Sequence, residues 1–264
     1  MKLSVHHATS YRYAAPVARS TQYIRLTPCD SVRQKVLDWQ LELPAPGIEM
    51  TDTFGNLTHL LTLSTPHDAI AIRAAGTVEV AEADDGEPAG PLDPRVFLRE
   101  TALTEADAAI LALCDPLRRL VATRPLIGVS DLVALIVERI GWRADATDAD
   151  TSAAQVLGRG AGVGQDRVHL LLACCRALGL PARYVSGYGY TQDLGTVASR
   201  AWAEVWLSHR WVSFQVGDST APDGGLIKLA VGLDHRDASP VRGVRLGGGE
   251  ERLSAHAQVQ RTEA

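Results

Sequence analysis

The 264-residue sequence has no apolar run approaching the roughly 18–20 residues that a bilayer-spanning helix needs. It has no block of Lys or Arg, and its net charge is only -5. That balance offers no matching surface to nucleic acid or to an anionic membrane, and neither is expected as a partner. Cysteine is sparse. Cys29, Cys114, Cys174 and Cys175 form no C-x-x-C pair, so neither a zinc site nor a disulfide framework follows. They read as buried thiols packing like small hydrophobes. The eight His are scattered without a ligand spacing, so no metal or other cofactor is expected. Nor does the N-terminus have the form of a signal peptide: Leu3 and Val5 alternate with Lys2 and Ser4, as in a strand. This points to the cytoplasm.

What is present is enough apolar residue, 46%, to bury a core in one large or two modest domains. Residues 1–81 show the period of two of half-buried strands. Leu37, Trp39, Leu41 and Leu43 alternate with Asp38, Gln40 and Glu42, Ile70 and Ile72 flank Ala71, and Val78 and Val80 flank Glu79. Pro44-Ala45-Pro46-Gly47 and Phe54-Gly55-Asn56 supply turns. An N-terminal antiparallel β-sandwich is expected. Residues 82–95 begin with an acidic, Pro- and Gly-rich run, Glu82 to Pro91, with too little apolar surface to fold alone, and read as a linker.

From residue 96 to 264 the period becomes helical and then strand-like. Thr104 with Asp107 suggests a cap for a helix over Ala108 to Leu120, and Ser130 a cap for one ending at Ile140. Ser152 with Gln155 has the form of a capping box for a short helix. A further helix spans about Gly164 to Leu178 and is closed by Gly179 and Pro181. It is apolar nearly all round, which predicts burial. Strands follow over Ala182–Tyr190, Arg200–Leu207 and Arg210–Val216. The tail carries the turn Gly247-Gly248-Gly249 and an alternating run, Leu253 to Val259.

A Gly-rich turn opening a buried helix, followed by aromatic-rich strands, is where a thiol acyl-transfer enzyme would place its parts. A helix N-terminus lowers a cysteine's pKa, a histidine takes the proton, and an acid fixes the imidazole tautomer. The sequence resembles the bacterial transglutaminase-like proteins, relatives of the papain-like thiol enzymes, over almost its whole length. The tracts that carry the resemblance are His7-Ala8-Thr9-Ser10-Tyr11-Arg12-Tyr13, Thr51 to Asn56, Thr151 to Ala154, Gly162 to Asp166 with His169, Cys175 to Tyr188, Ala201 to Trp206, and Ala230 to Asp234 leading to Pro240–Val244. The resemblance implies an α+β fold: an N-terminal β-sandwich and a transglutaminase-like core in which a buried helix packs on an antiparallel sheet.

The departures fall where the family keeps its triad. Gly164 stands in the place of the cysteine, Arg200 of the histidine and Gln215 of the aspartate. Glycine offers no nucleophile, a guanidinium stays protonated and cannot act as a base, and an amide cannot balance an imidazolium. Cys174 is ten positions past Gly164, roughly 15 Å along a helix, and Cys175 is farther, so neither can substitute. His169 and Ser186 read as structural. Ser213 shares a strand face with Gln215 and is the remaining candidate nucleophile.

The expectation is therefore a pseudoenzyme that binds a peptide, an amide or a protein partner through the former cleft, built from Gly164, Gln165, Asp166, Arg200, Trp202 and Gln215. Open N–H groups at a helix start bind anions, so a small carboxylate or phosphate between them and Arg200 is one occupant. The competing arrangement has Arg200 paired internally with Asp166, Glu204 or Asp218. The alternative function is a hydrolase or acyltransferase using an atypical nucleophile such as Ser213; a third possibility is a purely structural dimer subunit. The resemblance implies an active paralogue or an ATP-grasp-type ligase as partner.

Overall fold

In the computed structural model, the alternation at the N-terminus becomes one long strand, β1 (Lys2–Ile24). The structure describes residues 1–81, 86–143, 147–190, 199–217 and 225–262. After β1 come β2 (Gln34–Glu42), β3 (Ile48–Thr51), β4 (Leu57–Leu63) and β5 (His67–Val80). They lie in the order β2-β5-β1-β4-β3, all antiparallel. β1 changes neighbours along its length. Its first half pairs with β5, and after a register shift between Arg12 and Val17 its end pairs with β4.

The core opens with a 3-10 turn over Pro94–Leu98 and α1 (Ala108–Cys114). The N-cap of α1 is Asp107, whose side chain accepts from the Ile110 N–H at 2.9 Å. Thr104, read from sequence as part of this cap, is instead buried and accepts from Arg176 at 2.6 Å. The expected helix to Leu120 is interrupted at Asp115–Leu117, because Pro116 cannot supply a helical N–H. It resumes as α2 (Arg118–Thr123). The next helix, α3 (Pro125–Arg139), starts with Pro in its first position, where a missing N–H costs nothing. Ser130 is not its cap. It lies inside the helix and donates to the Leu126 carbonyl.

β6 (Gly141–Trp142) and α4 (Ala153–Arg159) follow. Both halves of the expected capping box are formed on α4: Gln155 N–H donates to Ser152 Oγ at 3.3 Å, and Ser152 N–H to Gln155 Oε1 at 2.9 Å. β7 (Ala161–Gly162) leads into α5 (Gly164–Ala177). Four antiparallel strands then form the core sheet: β8 (Ala182–Gly189), β9 (Arg200–Leu207), β10 (Arg210–Phe214) and β11 (Leu226–Gly232), in the order β10-β9-β8-β11. Ala203, Val205 and Leu207 join Leu170, Leu171 and Leu172 of α5 in one buried cluster. Each such leucine contributes about 1.5–3 kcal/mol by leaving water.

α5 is buried along nearly its whole length, as its apolar residues require, yet Asp166, Arg167, His169 and Arg176 are buried with them. A buried cation must be hydrogen-bonded to be tolerated. Arg176 donates to the carbonyls of Phe97, Ala182 and Leu233 and to Thr104 Oγ1. Arg167 donates to the Ile140 carbonyl at 2.6 Å. These two side chains tie α5 to the loops around it.

A short helix, α6 (His235–Ala238), precedes β12 (Val241–Gly247) and β13 (Glu251–Arg261). The sequence had placed these last strands with the core. They pair with β1 instead, β12 along Val17–Ile24 and β13 along Leu3–Tyr13. Ala257 and Val259 share a buried cluster with Leu3, Val5, Ile70 and Ile72. The apolar alternation of the tail was legible; its partner, some 240 residues away, was not. The N-terminal layer is thus one seven-stranded sheet curled around its core.

The segment read as a linker also departs from expectation. Residues 82–85 lie outside the described residues, but Glu87 is buried and forms an antiparallel bridge with Trp211. Two cations in the core hold it there, as shown below. Among the described residues no helix is long and apolar enough to cross a membrane.

Candidate functional site

The helix start is shaped by backbone pairing and one carboxylate. β7 pairs in parallel with β6, Gly141 with Ala161 and Trp142 with Gly162. Asp166 then turns back toward this strand. Its Oδ2 accepts from the Val163 N–H at 2.7 Å and from the Thr147 hydroxyl at 2.6 Å. Gly162 permits this: a Cβ there would meet Asp166 Oδ2 at 2.8 Å. At Gly164, by contrast, a Cβ would meet no atom within 4 Å among the described residues. Arg200, too, has no atom within that distance.

The N–H groups of Asp166 and Arg167 donate to the Val163 carbonyl at 3.1 and 3.2 Å. One of the three N–H groups expected to receive an anion is therefore already bonded, and a carboxylate stands beside the others.

On β9, Ala201, Ala203, Val205 and Leu207 face α5. Strand alternation puts Arg200, Trp202, Glu204 and Trp206 on the other face. Register places Gly187 opposite Arg200, Val185 opposite Trp202 and Ser213 opposite Glu204. Two glycines of β8 make room on this face. A Cβ on Gly187 would meet the Trp202 ring at 2.7 Å, and one on Gly189 would meet Arg200 Cγ at 2.8 Å. The Arg200 side chain thus lies over Gly189, and the Trp202 indole packs against Gly187 with its Nε1 buried and without a partner among the described residues. Gln215 is half-buried just past the end of β10.

The internal partners foreseen for Arg200 are engaged elsewhere. Asp166 is held by Val163 and Thr147. Glu204 is bonded to Arg183 at 2.7 Å and to Lys228 at 2.8 Å. Asp218 lies outside the described residues. Glu87 completes the cluster by pairing with Lys228 and Arg183. Two carboxylates and two cations balance, with the Arg183 guanidinium 4.2 Å from the Trp211 ring centroid. Burial alone would raise the Glu204 pKa, but Arg183 and Lys228 outweigh it and hold the carboxyl down at about 2.

None of the substitute nucleophiles is set up to act. Cys114, Cys174 and Cys175 are in the core. The neighbouring Cys114 thiol and burial push Cys174 well up, and burial pushes Cys175 to about 12, so both stay thiols. Cys29, expected buried, is exposed. His169 is a buried core histidine whose Nε2 accepts from the His235 N–H at 3.1 Å; its Nδ1 has no partner among the described residues. Burial lowers its pKa to about 3. Ser186 donates to the Ala238 carbonyl at 2.5 Å. Ser213 Oγ accepts from Arg33 at 3.0 Å, a cation that can take no proton from it.

The structure also contains a cavity of about 700 Å³ that sequence reasoning missed. His7, Thr9, Tyr11 and Tyr13 of β1 form a stripe along it, and Arg236 and Arg242 stand across from them. None of the six residues expected to form the cleft lines it. The alternation of the His7–Tyr13 tract was a usable signal, but the cavity exists only because α6 and β12 return to cover that stripe.

Comparison with known proteins agrees with this architecture. Residues 3–79 match the bacterial transglutaminase-like N-terminal region, and residues 118–216 match the transglutaminase-like superfamily. An uncharacterised protein of Mycobacterium tuberculosis is 32% identical over 270 residues, covering 91% of this chain and 86% of the relative. An uncharacterised Mycobacterium leprae protein is 25% identical over 98% of this chain and 99% of its own length. A crystal structure from Cytophaga hutchinsonii, provisionally named a cysteine protease, superposes with a TM-score of 0.78. It covers 100% of this chain and 91% of that one at 22% identity.

Proposed function

The chain belongs to the transglutaminase-like superfamily, and on that footing we propose that it is a non-catalytic member that binds a peptide, an amide-containing ligand or a protein partner through the former catalytic cleft. The observation that carries this reading is Gly164: the first residue of the buried helix has no side chain, and a Cβ there would meet no atom within 4 Å among the described residues. Of the residues weighed as replacements, Cys174 and Cys175 are buried in the core and Ser213 is bonded to a cation. Arg200 and Gln215 supply no base and no counter-charge. What the three residues retain is hydrogen-bonding capacity, with a guanidinium and a carboxamide, and room at the helix start. Those are properties of a binding cleft. By family resemblance, an active paralogue or an ATP-grasp-type enzyme is the partner class this reading favours.

The test is binding without turnover. Glutaminyl peptides are titrated against the purified protein by calorimetry and, in parallel, incubated with hydroxylamine to detect acyl transfer. The reading expects saturable binding that Arg200→Ala weakens and no hydroxamate formation. Hydroxamate that scales with protein concentration contradicts it.

A further inference from the structure

The cavity beside β1 has a directional hydrogen-bond chain at its base. The Tyr188 hydroxyl is 3.0 Å from His7 Nδ1, and His7 Nε2 is 2.6 Å from Thr9 Oγ1. Tyr188 is fully buried, and burial raises its pKa, so it keeps its proton. Its hydroxyl has no acceptor other than His7 among the described residues, and a buried donor left unmade is costly. Tyr188 therefore donates to Nδ1, the imidazole proton sits on Nε2, and that N–H donates to Thr9 Oγ1. Thr9 is left with its own proton free to donate into the cavity. Burial together with His256 lowers the His7 pKa to about 4, so the ring is neutral at neutral pH, as this chain requires.

Three further features point to one ligand chemistry. Of the three arginines on the cavity, Arg236 is paired with Asp150 and Arg245 with Glu251, while Arg242 donates to the Arg236 carbonyl at 3.1 Å, feels the Asp237 carboxyl only at longer range, and forms no ion pair among the described residues. Gln22 lines the wall with its side-chain carbonyl buried and without a partner among the described residues, an acceptor waiting for an N–H. Beside the β1 stripe, β13 contributes Leu253 opposite Tyr11 and Ala255 opposite Thr9, an apolar strip. A volume of about 700 Å³ is ample for one or two amino-acid residues.

We propose that this cavity is a binding site for the C-terminal residue of a peptide with an apolar side chain, its carboxylate held by Arg242 and Thr9, its amide N–H by Gln22, and its side chain on Leu253 and Ala255. The site shares no lining residue with the former triad, so it stands or falls independently of the pseudoenzyme reading.

The experiment is calorimetric titration of the full-length protein with an N-acetylated leucyl-phenylalanine, its C-terminal amide, and 4-phenylbutyrate as a small carboxylate without the amide N–H. The free-acid peptide is expected to bind about tenfold or more tightly than the other two. Arg242→Ala and Thr9→Val each weaken it by a similar factor, and Thr9→Ser restores it. Arg242 is exposed, so its variant decides the matter even if Thr9→Val fails to fold. Equal binding of acid and amide, no binding of either, or an unchanged Arg242→Ala overturns the site. Phenylbutyrate binding as tightly as the peptide overturns the peptide assignment.

Discussion

The carboxylate of Asp166 accepts from the N–H of Val163 at 2.7 Å, so the helix that begins at Gly164 is fastened from within its own first turn. The fastening depends on Gly162, not on Gly164. Gly162→Ala pushes a methyl group into Asp166 and is expected to lower stability by about 1–3 kcal/mol. Gly164→Cys meets open space and is expected to leave the melting temperature unchanged. Thermal denaturation of the two variants side by side checks the contrast.

The buried quartet of Glu204, Arg183, Lys228 and Glu87 should fail when it is broken and not when it is neutralised as a whole. Lys228→Met leaves two carboxylates facing Arg183 alone, and loss of one partner from a buried pair costs about 3–5 kcal/mol. The double change Lys228→Met with Glu87→Gln restores charge balance and should recover part of that loss. Urea denaturation midpoints measure both.

Two kinds of group make the fold acid-sensitive, and they act in different windows. Glu204 has a folded pKa held below its ordinary value of 4.5, at about 2. Its stabilisation is present above the ordinary value and is lost as the pH falls toward 2. His7 and His169 are buried neutral, with pKa values lowered by burial from 6.5 to about 4 and about 3. Charging them in the unfolded chain begins near 6.5, so stability starts to fall there, well before Glu204 titrates. Denaturation followed from pH 7 to pH 3 should show His169→Leu flattening the upper part of the profile and Glu204→Gln the lower.

The last two strands complete the first domain, and truncation should show it. Removing residues 240–264 strips β1 of β13 along Leu3–Tyr13, leaving β5 on its other edge, and exposes the cluster around Leu3 and Val5. A fragment of residues 1–81 is expected to be insoluble or unfolded by circular dichroism. The same fragment with residues 240–262 supplied through a short linker is expected to fold.

Much of this arrangement was legible in local pattern. The strands β9 and β10, the start of α5 and the box at Ser152 and Gln155 follow from periodicity and cap chemistry, both of which act over a few residues. What escaped involved partners distant in sequence. Glu87 looks like part of a solvated acidic run until Arg183 and Lys228 are brought to it. Arg176 sits in an apolar helix and is tolerated only because four oxygens from separate loops converge on it. The cavity stripe from His7 to Tyr13 reads as one face of a strand, and nothing within 20 residues reveals that α6 and β12 cover it. The chemistry of Gly164, Arg200 and Gln215 could be read one by one, because what a glycine, a guanidinium and an amide can do is a matter of residue identity. Their surroundings could not: Arg200 over Gly189, and the empty space at Gly164, come from packing.

The most direct measurement is acyl transfer from a glutaminyl peptide to hydroxylamine by the purified protein, read against a variant carrying Gly164→Cys, Arg200→His and Gln215→Asp together. No hydroxamate above the buffer rate from the native sequence is predicted. Product that grows in proportion to the native protein, and vanishes when the cleft residues are changed to alanine, would show that this site still performs chemistry.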